Sequence, residues 1–227
     1  MKPLIWSVLR LAFAALIAAA IIAQLVASVS TSVAAGRDVA TVVANFFSFF
    51  TILSNALSVV VLVWAGVAGL RRRDGVETAP LATALAGVTT YMIITGIVYN
   101  ALLRQIELPQ GSAPIPWSNE VLHLIGPLFL LVDLFVGPLR RALPWSTIVT
   151  LLAFPLLWTA YTLVRGPLVT NPVSGDPYWY PYPFLNPFGP GGWASVVVYV
   201  VIISVAFAAV ATLVVWIGRR RAAQTAR

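Results

Sequence analysis

The sequence predicts an all-α polytopic membrane protein, a single transmembrane domain over residues 1–227 built as a bundle of six helices with both termini cytoplasmic. Three observations predict it. Hydrophobic residues make up 60% of the 227 and charged residues only 9%, too apolar a balance for a water-soluble globule of ordinary surface. Six apolar stretches of about 20 residues, each long enough to cover ~30 Å of hydrocarbon, alternate with short polar or Pro-rich breaks. The fourteen basic residues are segregated: Lys2, Arg10, Arg71, Arg72, Arg73, Arg140, Arg141, Arg219, Arg220, Arg221 and Arg227 fall at alternate breaks, against Arg37, Arg104 and Arg165 at the others. Excess Lys and Arg in short loops marks the cytoplasmic face.

The spans are expected at about 4–29, 45–70, 81–103, 117–136, 145–164 and 193–217. The first is too long for the apolar core of a typical signal peptide and reads as a retained helix, with Gln24 near its outer end. The second carries Asn45, Ser48, Thr51, Ser54, Asn55 and Ser58 at spacings that gather them on one face, which should point into the bundle. The third ends outside with Tyr99 and Asn100 near its rim. In the fourth, Asn119, Glu120, His123, Gly126, Pro127 and Asp133 fall within an arc of about 140°. Thr159, Tyr161 and Arg165 end the fifth on the outer side. The sixth contains runs such as 196–205 that lack the alternation of a barrel strand, so helices are the reading throughout.

Composition also excludes much chemistry. With no cysteine and one histidine, neither a disulfide framework, a thiolate nucleophile nor a Cys-based metal site is available. No Gly-rich phosphate loop or nucleotide fingerprint appears, and no cofactor is expected. The basic clusters abut helix ends, where anionic headgroups account for them better than nucleic acid does. Membrane lipids are therefore the expected partners.

The lone histidine is the first functional candidate, because an ionisable group inside a span costs roughly 2.5–3.5 kcal/mol on insertion scales and is usually kept for a function. Counting from the outer ends of their spans, Thr51 and His123 both lie about 9 Å deep. A polar chamber in the outer half is the economical arrangement, with the inner half closed by Val, Leu and Ala. Asp133 falls at the inner end, where Arg72 or Arg140 would pair with it. A hydroxyl and an imidazole at one level suggest a nucleophile and its general base. Glu120, Asn119 or Asn100 would orient the imidazole, and Asn55 and Asn119 are candidate donors to an oxyanion. The plainer alternatives are a Thr51 hydroxyl bonded back to its own helix and a His123 that only packs.

The string SFFTILSN at residues 48–55, the Trp117, Asn119, His123, Pro127 and Asp133 pattern, and the WYPYPFL loop at 179–185 resemble the six-span family of androgen-induced and androgen-dependent TFPI-regulating membrane proteins, in particular its uncharacterised bacterial branch. The likeness runs from the second span to the fifth loop. It implies an intramembrane Thr/His pair that cleaves fatty acid esters of hydroxy fatty acids, carried by position onto Thr51 and His123.

The connection over 165–192 is long, with seven prolines interleaved with Tyr178, Trp179, Tyr180, Tyr182 and Phe184. Proline forbids a regular helix there and stiffens extended chain. The aromatics suit either an interfacial belt or a lid over the outer chamber. The function expected is thus a Thr/His hydrolase of lipid esters opening to the outer leaflet of a bacterial plasma membrane. The alternative is a non-enzymatic lipid or small-molecule binder or regulatory membrane protein. A carrier using Glu120, His123 and Asp133 is disfavoured by the apolar inner half and the absence of paired helix breaks.

Overall fold

Among the described residues six helices are long and apolar enough to cross a bilayer, and every regular element is helical. The computed structural model describes residues 2–71, 76–109, 112–138 and 140–225. In order, α1 spans Lys2–Ala34, α2 Val39–Phe46, α3 Phe50–Arg71 and α4 Ala79–Val98, which runs on into a π-turn over Tyr99–Leu103. The fourth span is composite: α5 Pro116–Glu120, a π-turn Val121–Ile125 and α6 Gly126–Val136. Helix α7 covers Thr147–Arg165 and α8 Gly192–Thr225. All six spans appear where the apolar runs lie, although the first and last helices extend beyond the hydrocarbon length expected for them.

The centre of the bundle is α4, packed against α3, α6, α7 and α8. Its sequence explains the position: it is apolar on all sides and rich in Ala, Gly and Thr, so neighbours approach closely wherever they meet it. Helix α1 lies along α3. A Cβ on Gly66 would come within 2.7 Å of Leu11, so glycine permits that contact.

One expectation needs correction in the second span. Instead of a single helix over 45–70, α2 ends at Phe46 and α3 begins at Phe50. Neither proline nor glycine causes the break; side chains take over the backbone groups. The Ser48 hydroxyl donates to the Ala44 carbonyl at 2.7 Å, while the Ser48 carbonyl accepts from Trp158 Nε1 at 3.0 Å. The polar face nonetheless turns inward, with Asn45, Ser48, Ser54, Asn55 and Ser58 all buried.

A second correction concerns the end of the bundle that holds both termini. It is not closed by Val, Leu and Ala alone, because an ionic cluster is buried there. Asp133 accepts from Arg10 Nε at 2.9 Å and from Arg140 at 2.5 Å, and Trp6 Nε1 donates to it as well. Glu77 pairs with Arg10 at 3.3 Å. Of the two partners expected for Asp133, Arg140 is present, whereas Arg72 lies outside the described residues, as do Arg73 and Arg227 of the basic runs. Arg10 is only 4% exposed, so it serves this cluster rather than facing headgroups. Between the cluster and the loop end lies a layer of fully buried Ile17, Leu62, Met92 and Leu130, about two turns inward of Gln24, Asn55, Tyr99 and Leu122. That apolar layer separates the two polar regions.

Candidate functional site

Thr51 sits in the first turn of α3, immediately after the break. Amides in a first helical turn lack intrahelical acceptors, and Tyr182 meets this one: the Thr51 N–H donates to the Tyr182 hydroxyl at 3.2 Å. The same hydroxyl lies 3.4 Å from Thr51 Oγ1. Burial pushes the Tyr182 phenol up, so it stays protonated through the neutral range. Ser58, Thr90 and Thr159 bond back to the carbonyl four residues earlier, but Thr51 does not. Its hydroxyl is turned toward other elements instead.

His123 lies in the π-turn of the fourth span, opposite the π-turn of the third that carries Tyr99 and Asn100. Single π-turns inside helices concentrate at functional sites, and here the local cause is visible. Pro127, four residues on, has no N–H for the His123 carbonyl, and the Asn100 amide supplies one from α4's extension at 3.1 Å. Gly96 makes the approach possible, since a Cβ there would meet Pro127 at 3.1 Å. The imidazole stacks on Tyr99, and its Nδ1 lies 2.9 Å from the Asn119 carbonyl. A carbonyl only accepts, so Nδ1 carries the proton and Nε2 presents a lone pair in the neutral ring.

Asn55 ties the two candidates together. Its amide donates to the Thr51 carbonyl at 2.9 Å and to the Leu122 carbonyl at 3.1 Å, joining the second and fourth spans next to both residues. Thr51 and His123 line one cavity of about 620 Å³, which also reaches Asn119, Arg104 and Gln24. No hydrogen bond joins Thr51 Oγ1 to the imidazole. A second, smaller cavity of about 130 Å³ is lined by apolar groups of α4, α7, α8 and the long loop, Leu152, Val200, Ile203 and Phe207 among them. Thr51 and Tyr99 line both cavities and form the boundary between them.

The long loop roofs this region. Trp179, Tyr180, Tyr182 and Leu185 are each no more than 5% exposed, so the first three belong to the core and not to an interfacial belt. Trp179 donates from its backbone to the Gly166 carbonyl and from Nε1 to the Pro109 carbonyl, and its ring meets Phe49 edge-on. Arg165 donates to Asn45 Oδ1 and lies over the Trp179 ring.

The chain matches no protein-family model, no curated protein and no solved structure. The sequence brings Thr51, His123 and Asn119 to one cavity, but gives the remaining candidates other tasks. Both amide hydrogens of Asn55 are engaged by carbonyls, leaving none for an oxyanion. Glu120 pairs with Arg104 at 2.9 Å rather than with the imidazole, and Asn100 holds the His123 carbonyl and the Arg104 Nε. Orientation of the imidazole falls to the Asn119 backbone. Tyr99 and Tyr182 were expected only at the outer rim of the third span and in the belt or lid of the long loop, not in the site itself; a phenol on the inner face of a loop or helix end has no periodic signature that distinguishes it from an interfacial tyrosine.

Proposed function

We propose that the protein is an intramembrane hydrolase of lipid-like esters, with Thr51 as nucleophile and His123 as general base. The observation that carries this reading is the position of Thr51 on the boundary between a polar cavity holding His123 and an apolar cavity beside it. An ester of a long-chain lipid has that same division, a polar reacting group attached to an apolar chain. Thr51 Oγ adds to the acyl carbon as its proton passes to His123 Nε2. The bond to the alcohol oxygen then breaks, and that oxygen takes the proton. Water repeats the sequence on the acyl-threonine, releasing the acid and restoring the hydroxyl. Asn119 donates to the Tyr99 oxygen at 2.7 Å, which leaves the Tyr99 O–H to turn toward the developing oxyanion. The resemblance to the six-span family supports the same pair.

In this reading the termini are cytoplasmic, the loop faces outward, and substrate comes from the outer leaflet of a bacterial plasma membrane; the segregation of basic residues supports that orientation. Treating the detergent-solubilised protein with a fluorophosphonate and mapping the adduct tests the assignment. Label on Thr51, lost in Thr51→Ala and strongly reduced in His123→Ala, is the expected result. Label elsewhere, or none, excludes it.

One observation favours a second reading, a lipid binder without turnover: Thr51 and His123 share a cavity without a hydrogen bond between them. Under that reading both alanine variants weaken binding of a fluorescent fatty acid, and no ester is consumed.

A further inference from the structure

The two cavities are unequal, and the chemistry of the proposed pair dictates which part of an ester each accepts. In ester cleavage the alcohol oxygen leaves with a proton, and that proton comes from the group that received it from the nucleophile. His123 lines only the larger, polar cavity, together with Arg104 and Asn119. The leaving oxygen must therefore lie on that side of Thr51. The acyl chain, on the other side of the reacting carbon, is directed into the smaller cavity lined by Leu152, Val200, Ile203, Ser204 and Phe207. Leu156 lines this cavity too and is 53% exposed on the outside of the bundle, so the apolar cavity reaches the lipid-facing surface at α7.

We infer that the substrate is an ester of a long-chain acid with a polar alcohol, bound with its acyl chain between α7, α8 and the long loop and its alcohol in the polar cavity. This rests on the hydrolase reading and adds an orientation to it. Formation of the acyl-threonine leaves the chain seated in the apolar cavity while the alcohol departs. Water then arrives from the polar side, where His123 stands ready to take its proton. The larger cavity, with the more polar lining, thus serves both as exit for the alcohol and as approach for water, and the acid leaves last, sideways past Leu156. Val200 and Ser204 become chain-length determinants, because a larger side chain at either narrows the apolar cavity, which His123 does not line.

Two isomeric esters separate the orientations: 1-hexadecanoylglycerol, and hexadecyl glycerate, in which the same chain sits on the alcohol side. The purified full-length protein is expected to cleave the first at least tenfold faster. Val200→Phe and Ser204→Phe are each expected to lower the palmitate-to-butyrate rate ratio on 4-nitrophenyl esters at least tenfold. Two separate variants keep the test decisive if one does not fold. Equal or faster cleavage of hexadecyl glycerate, or an unchanged ratio in a folded variant, overturns the orientation while the hydrolase reading stands. If the wild type cleaves none of these esters, both fall together.

Discussion

The imidazole of His123 lies flat against the phenol ring of Tyr99, with ring centroids 3.6 Å apart and planes 20° from parallel. Two contacts thus fix the ring: Tyr99 sets its plane, and the Asn119 carbonyl sets its tautomer. The two functions of Tyr99 are separable. Tyr99→Phe keeps the stacking face but removes the hydroxyl that accepts from Asn119 and faces the cavities. It should lower kcat for ester hydrolysis by about 10²-fold, the usual cost of one oxyanion donor, with little change in thermal stability. Tyr99→Leu should lose the ring contact as well and also lower the melting temperature.

Asn55 holds the carbonyls of Thr51 and Leu122 on one amide while fully buried. Asn55→Ala strips both carbonyls of a donor and unties the second span from the fourth. A loss of about 1–3 kcal/mol in stability is expected from buried groups left unsatisfied, read as a lower melting temperature in detergent, and hydrolysis should fall with it because the two candidates lose their common brace.

Six spans were legible in the sequence because each is a continuous apolar run, and the inward faces of α3 and α6 were legible because polar residues recur at helical spacing. What was not legible depended on partners distant in sequence. The break before Phe50 is produced by Trp158 taking the Ser48 carbonyl and Tyr182 taking the Thr51 amide, contacts from residues more than a hundred positions away. The π-turn at His123 needs Asn100 from another span to satisfy the carbonyl that Pro127 leaves open. Arg10 read as a topology signal because periodicity does not reveal that Asp133 and Glu77 meet it.

The ionic cluster should be sensitive to loss of one member and tolerant of loss of a neutral pair. Asp133→Asn leaves Arg10 and Arg140 facing Glu77 alone, and removing one partner of a buried pair typically costs about 3–5 kcal/mol. Arg10→Met combined with Asp133→Leu leaves Arg140 with Glu77 and should recover more than half of that loss. Melting temperatures of the two variants decide the matter; equal losses would mean that Asp133 acts through packing and not through charge.

Gly166 is the point where the roof is pinned. A Cβ added there would overlap the Tyr180 ring, so Gly166→Ala must shift the loop that also carries Tyr182 to Thr51. Displacements of about 1 Å around a reacting group can cost up to 10²-fold in rate; a fall of about tenfold in hydrolysis is expected for this variant. Adding Tyr180→Ala removes the collision and should restore part of the rate. A double variant no faster than Gly166→Ala would place the cause in the glycine's backbone rather than in the ring.

For the proposed hydrolase, orientation decides which leaflet supplies the substrate, and the absence of native cysteine makes it measurable with single introduced thiols. Ser174 is exposed in the long loop and Ala223 is exposed near the end of α8, at opposite ends of the bundle. In the sequence, eleven of the fourteen basic residues fall at the breaks on the side of both termini, so under the positive-inside rule that end is expected in the cytoplasm. A membrane-impermeant maleimide applied to intact cells should therefore label Ser174→Cys at once and Ala223→Cys only after permeabilisation. The reverse pattern would turn the cavity of Thr51 and His123 toward the cytoplasm, so that its substrate would have to come from the inner leaflet; the chemistry would be unchanged, but the source of the ester would not.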